Sequence, residues 1–265
     1  MSQIIEVAIP VPLHNTFDYI CNQEVSVGAR VKVPFGPKKV IGIVLSLKDK
    51  SEFGKLRAIE EVIDTEALLS KEILDFLFWS ANYYHHPVGE VLANALPKNL
   101  RLGKPAIIKK PTEINNAVTP RSFKPTSEQQ NAVNEVLKYE NSFHGFLLQG
   151  VTGSGKTEVY LNLTEKLIKD GKQVLVLVPE IGLTPQMIAR FEERINERVV
   201  AVHSQLNETQ KQDAYLLAKN GEAKVILGTR SAIFTPIPKL GLVIVDEEHD
   251  GSFKQQSSFR YSARD

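Results

Sequence analysis

The sequence predicts a mixed α/β protein, in which a small β-rich domain is followed by a parallel sheet with helices on both faces. Short β-type runs broken by Pro and Gly fill residues 1–103, a spacing typical of a small β-rich fold. Over residues 126–265, apolar strand-like runs alternate with helical stretches of about 10–15 residues, which is typical of βαβ units. Residues 104–125 contain four prolines and no lasting periodicity, and we interpret them as a linker.

The predicted linker is basic, which leaves two interpretations open. One acid, Glu113, opposes five basic residues: Lys104, Lys109, Lys110, Arg121 and Lys124. Proline-rich chains of this kind commonly act as solvated tethers, and this is the interpretation that we favour. The alternative is a segment whose positive charge follows a DNA strand.

Composition excludes several classes of protein. The 265 residues allow one large domain or two ordinary ones, and the net charge of +1 does not by itself indicate a nucleic-acid partner. Cys21 is the only cysteine, which excludes a disulfide framework and a cysteine-based zinc site within this chain and favours a reducing cytoplasm. The first residues do not match a signal peptide and the apolar runs are too short to span a bilayer, so we expect no membrane association.

Individual elements of the first domain follow from local pattern. Strands are predicted over residues 4–11, 31–33 and 41–47, with turns at Gly28, residues 34–37 and Gly54. Apolar residues at helical spacing predict a helix over residues 71–84, which Ser70 opens and Pro87 terminates.

The second domain is predicted to contain strands at residues 146–149, 174–178, 199–202, 224–227 and 242–245. Helices are predicted between them, over residues 156–170, from Thr184 to about residue 195, and from Asn207 to about residue 220. Pro185 in a first helical position and Gly171 in a C-cap position support these boundaries.

A glycine-rich loop between the first of these strands and its helix satisfies the full phosphate-loop pattern. Its residues are Gly150, Val151, Thr152, Gly153, Ser154, Gly155, Lys156 and Thr157. The glycines let backbone N–H groups converge on phosphate oxygens, Lys156 supplies a positive charge for the β- and γ-phosphates, and Thr157 offers a hydroxyl to Mg²⁺. The pattern and its context together favour an ATP site over a chance glycine-rich turn.

Carboxylates follow the last predicted strand, at Asp246, Glu247 and Glu248. Alone, an acidic strand end is often a solvated turn. Ligands of open α/β sheets, however, bind at the carboxyl edge, where a phosphate loop of the same sheet would also lie. We therefore expect Asp246 to hold Mg²⁺ and Glu247 to orient and deprotonate the attacking water.

The order of GVTGSGKT, VLVPEIGLTPQ, GTRSAIF and DEEH resembles the first, RecA-like motor lobe of superfamily 2 helicases. The longer segments GVTGSGKTEVY, GTRSAIFTP and DEEHDGSFKQQ, with FRYSARD after them, resemble the primosomal protein N′ (PriA) family of replication-restart helicases. AIPVPL and residues 16–19, 33–36 and 83–87 fit the same family, so the resemblance covers both domains and fails only in the linker.

For the motor lobe, the resemblance implies that Gln129 contacts adenine, although without it an exposed helix residue would be favoured. Residues 179–186 and 228–232 match segments that grip single-stranded DNA, with Arg230 as a phosphate contact or, alternatively, part of a surface salt bridge. The tail, residues 250–265, matches an aromatic-rich loop that could stack bases and hold phosphates, with core packing as the alternative. Its candidate residues are Phe253, Lys254, Phe259 and Tyr261.

For the first domain, the resemblance implies a pocket for the 3′ end of a DNA strand, formed by Phe17, Asp18, Tyr19 and Gly36. An aromatic ring would stack on the last base and a carboxylate would accept a hydrogen bond from the base edge or the 3′-hydroxyl. Without the resemblance, residues 17–19 would be interpreted as a plain strand. A lysine common in this pocket is replaced by Arg57, which keeps charge but not shape.

The resemblance as a whole implies an ATP-dependent 3′-to-5′ DNA helicase of the bacterial cytoplasm that recognises abandoned forks. Other primosome proteins and single-strand-binding protein would be its partners. We expect the linker to lack a winged-helix domain that many members carry, and we expect the second motor lobe and a Zn²⁺-binding region to be missing. We therefore expect this chain to be an amino-terminal fragment with weak or no ATPase. Another superfamily 2 translocase and a non-catalytic fork-binding scaffold are the alternative functions.

Overall fold

The computed structural model describes residues 2–109, 124–139, 142–151 and 153–265. The first domain contains a six-stranded sheet made of β1 (Gln3–Ala8), β2 (Phe17–Cys21), β3 (Arg30–Phe35), β4 (Lys38–Lys48), β5 (Arg57–Ala58) and β6 (Glu61–Val62). The strand order is β5-β2-β1-β4-β3-β6, with β2 and β5 parallel and the other neighbours antiparallel.

Alternation of side chains explains why this sheet has one apolar face. Its inner face buries a cluster of β-branched and aromatic residues that includes Ile5, Val7, Tyr19, Val31 and Val33. Because successive residues of a strand point to opposite faces, the residues between them, such as Glu6 and Asp18, lie on the outer face. This alternation decides where the candidate DNA-binding residues point.

Three helices complete the first domain: α1 (Lys71–Tyr83), α2 (Val88–Ala95) and α3 (Lys98–Arg101). The Ser70 side chain accepts a hydrogen bond from the Ile73 backbone N–H and so caps α1, as predicted. Helix α2 was not predicted from the sequence. It packs so closely on the segment after β1 that a Cβ at Gly89 would lie 1.7 Å from the Ile9 carbonyl oxygen.

The second domain alternates helices and strands. Its elements are α4 (Ser127–Leu137), α5 (Lys156–Lys169), β7 (Gln173–Leu177), α6 (Pro185–Arg194), β8 (Val199–Val202), α7 (Glu208–Lys219), β9 (Val225–Gly228) and β10 (Leu240–Val245). The strands form a parallel sheet in the order β10-β7-β9-β8. A β-rich sheet followed by this parallel α/β layer confirms the predicted fold class and agrees with a RecA-like lobe.

The strand predicted at residues 146–149 is wrong. These residues do not pair with the sheet, so β10 lies at its edge. The Phe146 ring instead packs against Tyr139 and His144, with ring centres 5.7 and 4.8 Å away. Leu148 packs on the cluster between α4 and α5. The apolar run predicted a buried strand, yet Phe146 and Leu147 are 43% and 82% exposed and only Leu148 packs inward.

The two domains share a hydrophobic core rather than a flexible hinge. One cluster joins buried residues of α1, α2 and α3 to Tyr215, Leu216, Phe234, Phe259 and Tyr261 of the second domain. The Asn99 amide also donates to the backbone carbonyl of Glu208, at 3.1 Å. In the part of the chain that the structure describes, no helix has the length and apolar character needed to cross a membrane.

The first residues of the predicted linker are anchored to α7. The Gln212 side-chain amide donates to the carbonyls of Pro105 and Ile107, at 3.0 and 2.8 Å. The Lys109 backbone N–H donates to the Asp213 carboxylate, at 2.9 Å. Residues 104–109 are therefore mostly exposed but fixed to α7 at three backbone groups, which differs from a free tether. Residues 110–123 lie outside the described part of the chain.

Candidate functional site

The glycine-rich loop presents backbone N–H groups at the start of α5. Gly153 and Gly155 have φ values of +83° and +84°, in the left-handed region that glycine adopts without strain. Gly155 is the N-cap of α5 and has no side chain to occupy the first N–H groups of the helix. Such a turn and helix start form an anion-binding site. Thr152, also assigned to this loop, lies outside the described residues.

Lys156 lies between the loop and the acidic end of β10. Its Nζ donates to the Gly150 carbonyl at 2.9 Å and lies 3.7 Å from Glu247 Oε1. A Cβ at Gly150 would approach Ser154 Oγ to 2.5 Å, so a larger residue there would disturb the loop. The structure thus brings together Lys156 and Glu247, which are 91 positions apart in the sequence.

Asp246 is fixed at the carboxyl edge of the sheet. Its backbone N–H donates to Leu177 at 2.9 Å and extends the pairing of β10 with β7. The Tyr160 hydroxyl donates to Asp246 Oδ1 at 3.1 Å. Burial, and then the Asp246 charge, raise the pKa of Tyr160, which keeps its hydroxyl protonated as a donor. Sequence reasoning missed Tyr160, although it lies one helical turn after Lys156.

One cavity of about 530 Å³ is lined by Lys156, Asp246 and Glu247, together with Thr157, Arg190 and Arg194. Sequence reasoning did not identify the two arginines, which belong to α6. The Arg194 guanidinium binds Glu165 at 2.8 Å, whereas Arg190 makes no ion pair with any of the described residues. Carboxylate and hydroxyl oxygens are the ligands that Mg²⁺ prefers, so Thr157 and Asp246 could hold this ion beside a bound phosphate chain.

Gln129 packs against the loop from α4. Its side-chain carbonyl accepts from the Thr126 backbone N–H at 2.9 Å, and Thr126 caps the same helix in return. Its amide donates to the Gly155 carbonyl at 3.5 Å. The structure thus places Gln129 next to the phosphate loop, while the implied contact with adenine stays a prediction.

The aromatic tail is not exposed, contrary to the base-stacking prediction. Phe253, Phe259 and Tyr261 are all buried, and Phe259 retains only 2% of its surface. Phe259 packs on His86 and Phe234, with ring centres 5.1 and 5.9 Å away. In the structure these rings pack in the core, which was the alternative interpretation of the tail. A base can stack only on an accessible ring face. Lys254 is half-buried, with Nζ 5.3 Å from the Tyr84 ring centre.

Arg230 holds the tail through backbone contacts. Its Nη1 donates to the carbonyls of Ser252 and Lys254, at 2.8 and 3.2 Å, and its guanidinium lies 6.0 Å from the Tyr261 ring centre. Among the described residues, Arg230 therefore does not form the surface salt bridge that was the alternative interpretation. Its guanidinium is also not free to contact a phosphate as it lies. A role for Arg230 in DNA binding stays a prediction.

In the first domain, the turn between β3 and β4 gathers most of the implied strand-end residues. Phe17 packs edge-on against Phe35, with ring centres 5.2 Å apart. The Arg57 guanidinium donates to the Gly36 carbonyl at 3.4 Å. The buried Tyr19 supports the turn from below, since its hydroxyl donates to the Pro34 carbonyl at 3.1 Å.

Asp18 lies on the opposite face of β2 from Phe17 and Tyr19. Its carboxylate accepts from Lys48 Nζ at 2.9 Å and from Ser51 Oγ at 2.6 Å, and its side chain is 5% exposed. The described contacts therefore do not join Asp18 to Gly36 and Arg57 in one pocket. Lys48 and Ser51 were not identified from the sequence. Strand alternation, however, would have indicated that Asp18 points to the opposite face of β2 from Phe17 and Tyr19.

His85 and His86 follow the end of α1, and their described contacts do not bring the two rings together as ligands of one metal ion. His85 has a positive φ of 50°, which ends the helix. His86 Nε2 lies 2.9 Å from Glu90, and its ring stacks on Phe259. His86 therefore belongs to the junction of the two domains.

The families that match the two domains define a class of protein, in which a DNA-binding domain precedes a helicase-type domain. Residues 6–97 match the PriA family described as the 3′ DNA-binding domain, and residues 122–263 match the family described as type III restriction enzyme, res subunit. The chain belongs to the PriA family of replication restart proteins, as its relatives show.

Three of these relatives are named replication restart protein PriA. That of Haemophilus influenzae is 38% identical over 339 aligned positions, which cover 99% of this chain and 46% of the relative. That of Rickettsia conorii is 35% identical over 265 positions, covering 99% of this chain and 40% of the relative. That of Synechocystis is 51% identical over 140 positions, covering 52% of this chain and 17% of the relative.

The chain spans less than half the length of these curated relatives. The alignment with the Haemophilus influenzae protein is longer than the 265 residues of this chain, so that relative contains inserted residues without a counterpart here. The Rickettsia conorii alignment has 265 positions, as many as the chain has residues. Insertions therefore differ between members of the family.

Proposed function

We propose that this chain is the strand-end-binding and nucleotide-binding part of an ATP-dependent 3′-to-5′ DNA helicase that acts at abandoned replication forks. The observation that carries the proposal is the cavity in which Lys156, at the start of α5, faces Asp246 and Glu247, at the end of β10. Membership of a replication restart family supports the fork as the place of action.

In this proposal, bound ATP supplies the phosphoanhydride bond whose hydrolysis drives movement along DNA. The N–H groups at residues 153–157 bind phosphate oxygens, and Lys156 exchanges its contacts with Gly150 and Glu247 for the β- and γ-phosphates. Thr157 and Asp246 hold Mg²⁺, while Tyr160 keeps the Asp246 carboxylate in one orientation. Glu247 accepts the proton of the attacking water.

On the first domain, Phe17 would stack on the terminal base and Arg57 would contact the adjacent phosphate. The Asp18 carboxylate can accept a hydrogen bond from a 3′-hydroxyl only beside Lys48 and Ser51, where its oxygen atoms lie. We therefore propose that a bound strand end reaches the outer face of β2. Other primosome proteins and single-strand-binding protein are proposed as partners on family membership alone.

The nucleotide site is tested by titrating a fluorescent ATP analogue into the chain with and without Mg²⁺. Lys156→Ala should weaken binding by at least tenfold, because it removes the phosphate-binding charge. Lys169→Ala, an exposed lysine at the other end of α5, is the matched control. If the wild-type chain does not bind the analogue, the ATP-dependent proposal fails and a non-catalytic fork-binding scaffold replaces it.

The strand-end site is tested with a fork that carries a 3′-hydroxyl on the leading strand, against the same fork with a 3′-phosphate, at one salt concentration. We expect weaker binding to the blocked fork. Equal affinity for the two forks would contradict reading of the strand end and favour another superfamily 2 translocase.

A further inference from the structure

Helix α6 supplies a wall of the nucleotide cavity that the phosphate-loop pattern does not predict. Its contribution consists of three charged side chains, those of Arg190, Glu193 and Arg194. Arg190 and Arg194 are four positions apart, so their side chains lie on the same face of the helix. Both guanidinium groups therefore line the space beside the phosphate loop.

The orientation of α6 is fixed by contacts next to Arg190. Phe191 is fully buried in the cluster that α5 and α6 form with the sheet. Arg194 binds α5, with its Nε 2.8 Å from Glu165 Oε1 and its Nη1 3.5 Å from Glu158 Oε2. A buried ring and an ion pair that both hold α6 against its neighbours limit rotation of the helix about its axis. Arg190 is therefore directed to the cavity by the packing of the helix that carries it.

Arg190 is a positive charge that the described structure leaves uncompensated. Lys156 faces Glu247 at 3.7 Å, and Arg194 is engaged with α5. Arg190 is exposed and makes no ion pair with any residue that the structure describes, including Glu193 on the same helix. A guanidinium group is planar and can donate to two oxygen atoms of one phosphate. Arg190 is thus available to an anionic ligand of this cavity.

The cavity lies at the phosphate end of the proposed nucleotide site. Gln129, which would contact adenine, is not among the described residues that line it. Thr157 and Asp246 line the cavity and would hold the Mg²⁺ that bridges the β- and γ-phosphates. Glu247 lines it too and would orient the water that attacks the γ-phosphate. A cation in the same cavity is therefore beside the end of the phosphate chain.

We propose that Arg190 binds the terminal phosphate of the bound nucleotide and so makes the site prefer ATP to ADP. This inference rests on the proposed function and adds a specificity-determining residue to the same site. ADP lacks the γ-phosphate oxygens, whereas Lys156 and the loop N–H groups contact the β-phosphate of either nucleotide. The contact uses only residues of the second domain, so this chain can make it by itself.

The test measures how the β,γ-imido analogue of ATP and ADP each displace the fluorescent ATP analogue in the presence of Mg²⁺. Arg190→Ala should weaken binding of the imido analogue by about 5- to 20-fold, because a charge-assisted contact is lost, and binding of ADP by less than about twofold. Lys156→Ala should weaken binding of both nucleotides. Arg260→Ala, at an exposed arginine outside the cavity, is the matched control and should change neither.

Arg190→Lys provides a second variant, which keeps the charge but not the planar group and should recover part of the preference for the imido analogue. Because Arg190 is exposed, both variants should melt at the temperature of the wild-type chain, which separates lost binding from lost folding. If the wild-type chain binds the fluorescent analogue and Arg190→Ala weakens neither nucleotide, or weakens both equally, the Arg190 proposal is overturned while the proposed function stands. If the wild-type chain does not bind the analogue, the proposed function fails and the Arg190 proposal fails with it.

Discussion

Two regions were predicted to bind DNA for the same reasons, a family resemblance and aromatic residues beside basic ones, yet the structure treats them differently. Phe17 and Arg57 meet at an open turn around Gly36 on the first domain. Phe253 and Phe259 of the tail are packed in the interior. The difference teaches that composition identifies an aromatic cluster, whereas the neighbouring domain decides whether its faces are accessible.

The largest expected effect comes from the buried tail. Phe259→Ala should lower the free energy of unfolding by about 3–5 kcal/mol, because it leaves a cavity where rings of both domains meet. Urea titration followed by circular dichroism measures this. Phe53→Ala, at a ring that is 62% exposed, should change stability by less than about 0.5 kcal/mol. A stable Phe259→Ala variant with impaired DNA binding would restore the base-stacking interpretation.

Arg230→Ala should be the next most costly change. It removes a half-buried guanidinium that binds two backbone carbonyls of the tail, so we expect a loss of about 1.5–3 kcal/mol in the same unfolding assay. Arg260→Ala, at an exposed arginine of the same tail, is the control and should be nearly neutral. Unchanged stability for Arg230→Ala would show that the described contacts contribute little.

Asp18→Ala separates stability from strand-end recognition on the first domain. Losing its contacts with Lys48 and Ser51 should cost about 1–2 kcal/mol, because the side chain is nearly buried. The preference for a 3′-hydroxyl over a 3′-phosphate end should also be lost. Asp49→Ala, an exposed neighbour, should retain both properties. Retention of the preference by Asp18→Ala would make Asp18 a structural residue and sharpen the pocket to Phe17, Gly36 and Arg57.

The smallest effect on stability is expected at the open turn. Arg57→Ala should change the free energy of unfolding by less than about 0.5 kcal/mol, since Arg57 is exposed and makes one long hydrogen bond to Gly36. Affinity for single strands with a free 3′ end should nevertheless fall several-fold, whereas the exposed Lys55→Ala should not alter it. If Arg57→Ala and Lys55→Ala bind such strands with equal affinity, the open turn has no more claim to DNA binding than the buried tail.

The sequence predicted local elements well where a specific residue limits them. Thr184 and Asn207 cap α6 and α7 through side-chain hydrogen bonds, and both helices begin where predicted. Residues 146–149 show the opposite case, because Phe146 is drawn to Tyr139 and His144 through contacts that no local pattern specifies. Helix α2 was missed because it is short and its packing depends on the close approach of Gly89 to Ile9.

Three residues of the predicted nucleotide site lie close together in the structure, while their roles stay predictions. Asp246 and Glu247 lie at the carboxyl edge of the sheet because they follow β10, and Lys156 faces them although the segment before its loop pairs with no strand of that sheet. Arg190 could not be identified, because its position depends on how α6 packs over the loop. The family motif also did not predict the direction of the Asp18 side chain. Asp18 lies next to Phe17 in sequence but points to the other face of β2.

The shared core at the junction has a consequence for cooperativity. Because Tyr215, Phe234 and Phe259 pack with residues of α1, α2 and α3 in one cluster, neither domain can unfold without exposing the interior of the other. The pair should therefore melt in a single transition despite its two sheets. A junction of this kind also fixes the distance between the strand-end turn and the nucleotide cavity, because that distance is set by packed rings.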